Sequence, residues 1–144
     1  MKFLDLADGG QQLAPLLSAH IDSTTLLVAV PPGGLPVGAA VADALGCVVV
    51  PLHVERDHDG VRVELALEVA GRHVMVIDDG VETGTAARAV VAALREAGAV
   101  HVVLAVPVCP RDSEVGLRQV YDDVIAVTRP LVRRSLRWHY ERFA

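Results

Sequence analysis

The run Val74-Met75-Val76-Ile77-Asp78-Asp79-Gly80-Val81-Glu82-Thr83-Gly84-Thr85-Ala86 gathers the residue types best suited to chemistry in this chain. Its apolar start reads as a buried strand that ends in two adjacent carboxylates, and a Gly/Thr loop then opens a helix. Backbone N–H groups at a helix N-terminus, joined by the hydroxyls of Thr83 and Thr85, form a ready phosphate site. Small residues there let the phosphate come close. Asp78 and Asp79 can accept hydrogen bonds from vicinal sugar hydroxyls. In open α/β sheets ligands bind beyond the carboxyl ends of the strands, so phosphate, sugar and carboxylates fall into one crevice. The plainer alternative is that Asp-Asp-Gly is only a strand-to-turn signal.

A second loop, Pro31-Pro32-Gly33-Gly34, follows another apolar run. It reads either as part of the same crevice or as an ordinary strand-to-helix turn with Pro36 at the first helical position.

The elements that must hold these loops are legible as alternating patterns. Thr25–Val30, Cys47–Val54, Val74–Asp78, Val100–Val106 and the shorter Val124–Thr128 are Val/Ile/Leu runs without alternation, as in strands covered on both faces. Between them lie helical stripes: Leu13, Leu16 and Leu17; Val37, Val41, Ala44 and Leu45, stopped by Gly46; and Ala86, Ala89, Val90, Ala93, Leu94 and Ala97, stopped by Gly98. The expected fold is a doubly wound, mostly parallel α/β sheet. Val61–Val69 instead places apolar residues at every second position, and Asp57-His58-Asp59-Gly60 is a turn signal before it. Cys47–Glu55 and Val61–Val69 are therefore expected to form a hairpin that adds an antiparallel strand to the sheet, with an edge suited to dimer contacts.

With 144 residues, of which 52% are hydrophobic and 22% charged, residues 1–144 are expected to form one domain with its own core. A net charge of −5 argues against nucleic-acid binding. Apolar runs such as Leu26–Pro32 and Val102–Pro110 fall short of the roughly 20 residues of a membrane span. No secretory signal is read at the start, so a cytoplasmic protein is expected. Cys47 and Cys109 sit in apolar runs and read as reduced, buried thiols. His53 and His58, with Asp57 and Asp59, are spaced across a turn that keeps the two imidazoles off one face, and read as solvated rather than metal-binding. Arg129, Arg133, Arg134, Arg137 and Arg142 crowd the C-terminal region. They read as a solvated helix face or as subunit contacts. Trp138 and Tyr140 read as packing onto the sheet, with stacking on a base as the alternative.

The apolar run, the double acid and the Thr-Gly loop resemble the phosphoribosyl pyrophosphate (PRPP) motif of type I phosphoribosyltransferases. Pro31-Pro32-Gly33-Gly34-Leu35-Pro36-Val37-Gly38, Ala70-Gly71-Arg72 and Arg137-Trp138-His139-Tyr140 resemble segments of a predicted group within that family. The resemblance implies that Asp78 and Asp79 hold the ribose hydroxyls and act in catalysis. It implies that Glu82, Thr83, Gly84, Thr85 and Ala86 join them around the ribose 5-phosphate, and that Pro31, Pro32, Gly33 and Gly34 form the pyrophosphate loop. It also implies a homodimer, a small-molecule phosphoribosyl substrate, and Mg²⁺ bridging the substrate without direct protein ligands. The implied reaction is transfer of 5-phosphoribosyl to an unidentified, nucleobase-like acceptor. The alternative is a catalytically inactive module that binds PRPP or a nucleotide.

Three departures from the family pattern bear on that choice. Pro32 stands where the family has a basic residue. The loop reads Thr83-Gly84-Thr85-Ala86 where Thr-Gly-x-Thr is expected. The long basic segment that supplies the family's hood and flexible loop is largely deleted, and only Glu55–Gly71 stands there.

Overall fold

The computed structural model of the chain describes residues 2–143. Strands β1 (Leu26–Ala29), β2 (Val49–Pro51), β5 (His73–Ile77), β6 (His101–Val108) and β7 (Asp123–Thr128) form a parallel sheet in the order β2-β1-β5-β6-β7. A separate antiparallel pair, β3 (His53–Asp57) and β4 (Gly60–Glu64), lies between β2 and β5 in the chain. The helices are α1 (Leu6–Leu17), α2 (Gly34–Leu45), α3 (Thr85–Glu96) and the short α4 (Arg111–Leu117). The fold is thus the expected doubly wound, mostly parallel one.

Strand alternation divides the core into two layers. Leu27, Met75, Ile77, Val103 and Ala105 cluster with Leu6, Leu13 and Leu17 of α1 and with Val37 and Val41 of α2. Val28, Val76, Val102, Leu104 and Val106 point the other way, onto Val90, Val91 and Leu94 of α3. Covered on both faces, the strands need no polar side. Asp5 caps α1 by accepting the Asp8 N–H at 2.8 Å, and α2 ends at Gly46 in the left-handed region.

Several elements differ from the expectation. Leu16 is exposed because the buried stripe of α1 runs through Leu6, Leu13, Ala14 and Leu17. Ala44 and Ala97 also lie outside the buried stripes of their helices. The hairpin turns at Asp57–Gly60 as expected but makes a two-stranded sheet of its own instead of extending the parallel one. After β2 the Leu52 N–H still reaches Ala29 O at 2.9 Å, and the chain then leaves the sheet. β4 stops at Glu64, opposite His53, so Leu65–Val69 has no strand to pair with despite its alternation. Leu65 and Leu67 pack against the core as irregular chain instead.

Register places the site. Ala29, Ile77 and Ala105 sit level across β1, β5 and β6. The loops leaving β1 and β5 therefore meet at one edge, the carboxyl ends of the strands.

Candidate functional site

At that edge lies a cleft of about 510 Å³, lined by Pro31–Gly33, Asp78–Ala87, Arg56, Val61, Leu104, Leu136, Arg137 and Phe143. Ten of the eleven residues picked out from the sequence thus line one cleft. The exception is Gly34, which begins α2. A Cβ there would stand 2.8 Å from Ile77 O, so Gly34 serves the close approach of α2 to β5.

The two loops are tied together below the cleft. Val30 N–H donates to Ile77 O at 2.9 Å and Gly34 N–H to Val30 O at 2.8 Å. The Pro31-Pro32 peptide is cis. A Cβ on Gly33 would lie 2.0 Å from Oδ2 of Asp79, so only glycine lets the first loop touch the second carboxylate.

Asp78 and Asp79 are half-buried at the end of β5. Asp79 N–H donates to Asp78 Oδ1 at 2.7 Å, which fixes the first carboxylate. Burial pushes Asp78 well above the usual carboxylate range, and the neighbouring charge of Asp79 pushes it further. Burial also pushes Asp79 up, while the Arg56 guanidinium pulls both down. The Tyr140 hydroxyl donates to Asp79 O at 2.5 Å, and its buried ring packs against Phe3.

The next loop has the form of an anion cradle. Gly84, at φ +87, stands at the N-cap of α3 and supplies no side-chain cap, so the first N–H groups of the helix are left to whatever enters the cleft. The Thr83 and Thr85 hydroxyls are 3.1 Å apart. Moving the second hydroxyl one position along the loop has therefore not separated it from the first. Glu82 is engaged within the chain: its Oε1 accepts Leu136 N–H at 2.6 Å, and its carbonyl accepts the Ser113 hydroxyl at 3.1 Å.

A strand-end carboxylate pair, a glycine-opened helix and a second loop pressed against the acids thus meet in one place. The family model of the phosphoribosyl transferase domain matches residues 5–130. The chain belongs to the phosphoribosyl transferase family. A Mycobacterium tuberculosis protein (strain CDC 1551 / Oshkosh) named for phosphoribosyl transfer is 26% identical over 98% of this chain and 43% of its own length. The chain thus spans less than half of that curated relative. The crystal structure of a protein from Thermus thermophilus superposes with a TM-score of 0.85 at 21% identity, covering 100% of this chain and 92% of that one. A purine phosphoribosyltransferase from Pyrococcus horikoshii gives 0.62 at 18% identity, over 88% and 87%. The two structures bear on the fold.

Against this family background, the C-terminal arginines need correction. Arg137 lines the cleft, so the segment is not merely a solvated face. Arg129 pairs with Glu114 at 2.6 Å and Arg133 with Asp112 at 3.0 Å, both ion pairs within the chain. Tyr140 is buried as expected, whereas Trp138 is partly exposed, with Arg134 stacked 4.3 Å from its ring centre. His53 lies near Glu55 and Glu64, and His58 near Asp59, so the two histidines share no cluster.

Sequence reasoning missed Arg56, Val61, Leu136 and Phe143. One signal was available. Arg56 pairs with Val61, and Val54 with Val63, so Arg56 holds the one charged position on the hairpin's otherwise apolar face. A charge that breaks the alternation marks a position with another task.

Proposed function

We propose that the cleft binds PRPP and that the protein transfers its 5-phosphoribosyl group to a nitrogen of a nucleobase-like acceptor. The observation that carries this reading is that the uncapped start of α3, the paired Thr83 and Thr85 hydroxyls and the Asp78–Asp79 pair line one cleft with Pro31–Gly33. On this reading the Glu82–Ala86 loop holds the 5-phosphate by backbone N–H groups and hydroxyls. Asp78 and Asp79 accept from the ribose hydroxyls, and Pro31–Gly34 bound the diphosphate. The purine phosphoribosyltransferase among the similar folds makes purines the first acceptors to try.

In the reaction the C1–O bond to diphosphate breaks, diphosphate leaves with the electron pair, and a C1–N bond forms while the acceptor's proton passes to solvent. The chain's contribution is to hold both partners in line and to fix the sugar's orientation. Asp78 and Asp79 are two half-buried hard oxygen donors, which would suit Mg²⁺ held through its water shell. When bound, Mg²⁺ supplies charge screening for the diphosphate. A cytoplasmic homodimer belongs to the same proposal.

The second reading, a catalytically inactive module that binds PRPP or a nucleotide, is favoured by one observation: Pro31–Gly34 offers no side-chain donor to a diphosphate. Calorimetry with Mg²⁺–PRPP, using ribose 5-phosphate as control, tests the shared part. Diphosphate release with a purine panel then separates the two. Binding is expected for both ligands, and diphosphate release is expected with at least one base. An empty cleft at millimolar ligand overturns both readings, and binding without turnover selects the module.

A further inference from the structure

PRPP carries a phosphate at one end and a diphosphate at the other, and the cleft's two ends are unequally equipped. The Glu82–Ala86 side has backbone donors and two hydroxyls. The Pro31–Gly33 side has prolines and a glycine, and Pro32 has not even an N–H to give. Among the described residues lining the cleft, the cations are Arg56 and Arg137. Arg137 follows Leu136, whose N–H binds Glu82, and so belongs to the phosphate-loop side. Arg56 belongs to the other side, because its Nη1 donates to Pro31 O at 2.8 Å.

Three further features single out Arg56. It lies in β3 on the hairpin face shared by Val54, Val61 and Val63, the face that packs toward the core, and Val61 beside it also lines the cleft. Its bond to Pro31 O is its one side-chain hydrogen bond among the described residues, and no carboxylate lies within ion-pair distance of its guanidinium there. The hairpin's other arginine, Arg62, is neutralised by Glu55 on the outer face at 2.5 Å. A guanidinium has five N–H donors in a planar fork that matches phosphate oxygens, so Arg56 has capacity to spare.

We infer that Arg56 is the diphosphate-binding residue of this cleft: the hairpin brings from a different element the cation that the Pro31–Gly34 loop does not carry. The inference rests on the PRPP reading. The Pro31 carbonyl holds the guanidinium at the loop, and the diphosphate engages the donors left over. The hairpin is then a working wall of the site as well as a cover for α3.

The test is calorimetry on wild type, Arg56→Gln and Arg56→Lys with Mg²⁺–PRPP, inorganic diphosphate and ribose 5-phosphate, each variant checked by thermal melting. Arg56 is solvent-exposed, so both variants are expected to fold. Arg56→Gln is expected to weaken PRPP and diphosphate about tenfold or more while ribose 5-phosphate is held as before. Arg56→Lys keeps the charge without the fork and is expected to recover part of the loss. If wild type binds PRPP but Arg56→Gln leaves the PRPP to ribose 5-phosphate ratio unchanged, Arg56 is only a brace for Pro31 and the inference falls while the cleft stands. If wild type binds neither sugar phosphate, the cleft reading falls and takes the inference with it.

Discussion

The Asp79 carboxylate occupies the space that any side chain on Gly33 would need: a Cβ there would sit 2.0 Å from Oδ2 and 2.5 Å from Cγ. Gly33 has an ordinary helical φ of −69, so glycine is required there for room and not for backbone freedom. Gly33→Ala must therefore move either the loop or the acid. Overpacking of this kind costs typically about 1–3 kcal/mol. The expected outcome is a lower melting temperature together with weaker ribose 5-phosphate binding, since both loops meet at this contact. An alanine variant with wild-type ribose 5-phosphate affinity would show that the Gly33–Asp79 contact does not hold the binding geometry.

The carboxylate pair makes a second prediction, in which stability and function oppose each other. Burial raises both folded carboxyls above their unfolded values. The folded protein then holds these protons more tightly than the unfolded chain. Stability from this source is present below the ordinary carboxylate value of about 4 and is lost as pH rises through the raised folded values. Asp78→Asn removes the burden, so at pH 7 its melting temperature is expected to exceed that of wild type, with the gap closing below about pH 4. Asp78→Asn combined with Asp79→Asn should weaken ribose 5-phosphate binding but leave inorganic phosphate binding intact or stronger, because two negative charges are gone while the hydroxyl acceptors are poorer. Equal losses for the sugar phosphate and the free anion would contradict the assigned roles.

These two sites also show what the sequence makes visible. Asp78–Ala86 is legible because strand end, acids, loop and helix start are contiguous, so local rules suffice. The parallel strands are legible for a similar reason, since burial on both faces leaves a continuous apolar run. Pairing is not local. Leu65–Val69 alternates as well as Val61–Val63 does, yet β4 ends at Glu64 because β3 offers no residue beyond His53 in that direction. Arg137 reaches the cleft only because the C-terminal segment folds back over Gly80, where Leu136 Cδ2 would stand 2.4 Å from an added Cβ. Nothing in the spacing of five arginines tells the one in the cleft from those paired with Glu114 and Asp112.

Tyr140 is the fastening of that returning segment. Its hydroxyl donates to Asp79 O, its backbone bridges Phe3, and burial pushes the phenol up, so it stays a donor at any working pH. Tyr140→Phe keeps the ring packing and leaves the Asp79 carbonyl without this donor, a loss of about 1 kcal/mol. Tyr140→Ala removes the ring as well and is expected to cost about 3–5 kcal/mol. Urea midpoints measure both. If the phenylalanine variant matches wild type in stability and in ribose 5-phosphate affinity, the hydroxyl does not position Asp79.

The last prediction sets Pro32 against Arg56. If the first loop lacks a cation and the hairpin supplies one, an arginine at position 32 should matter most when Arg56 is absent. Pro32→Arg in the Arg56→Gln background is expected to restore PRPP binding by roughly tenfold without changing ribose 5-phosphate affinity, because only the diphosphate end feels the new charge. In the wild-type background the gain should be smaller, since two guanidinium groups then share one diphosphate and repel each other at close range. The four proteins form a double-mutant cycle, and the coupling between the two positions is the quantity to read. Pro32 is part of the turn that Gly34 N–H closes onto Val30 O, so each variant needs a melting curve beside its binding isotherm. Strictly additive effects in folded proteins would mean that positions 32 and 56 act on different parts of the ligand, and the substitution of one cation for the other would be disproved.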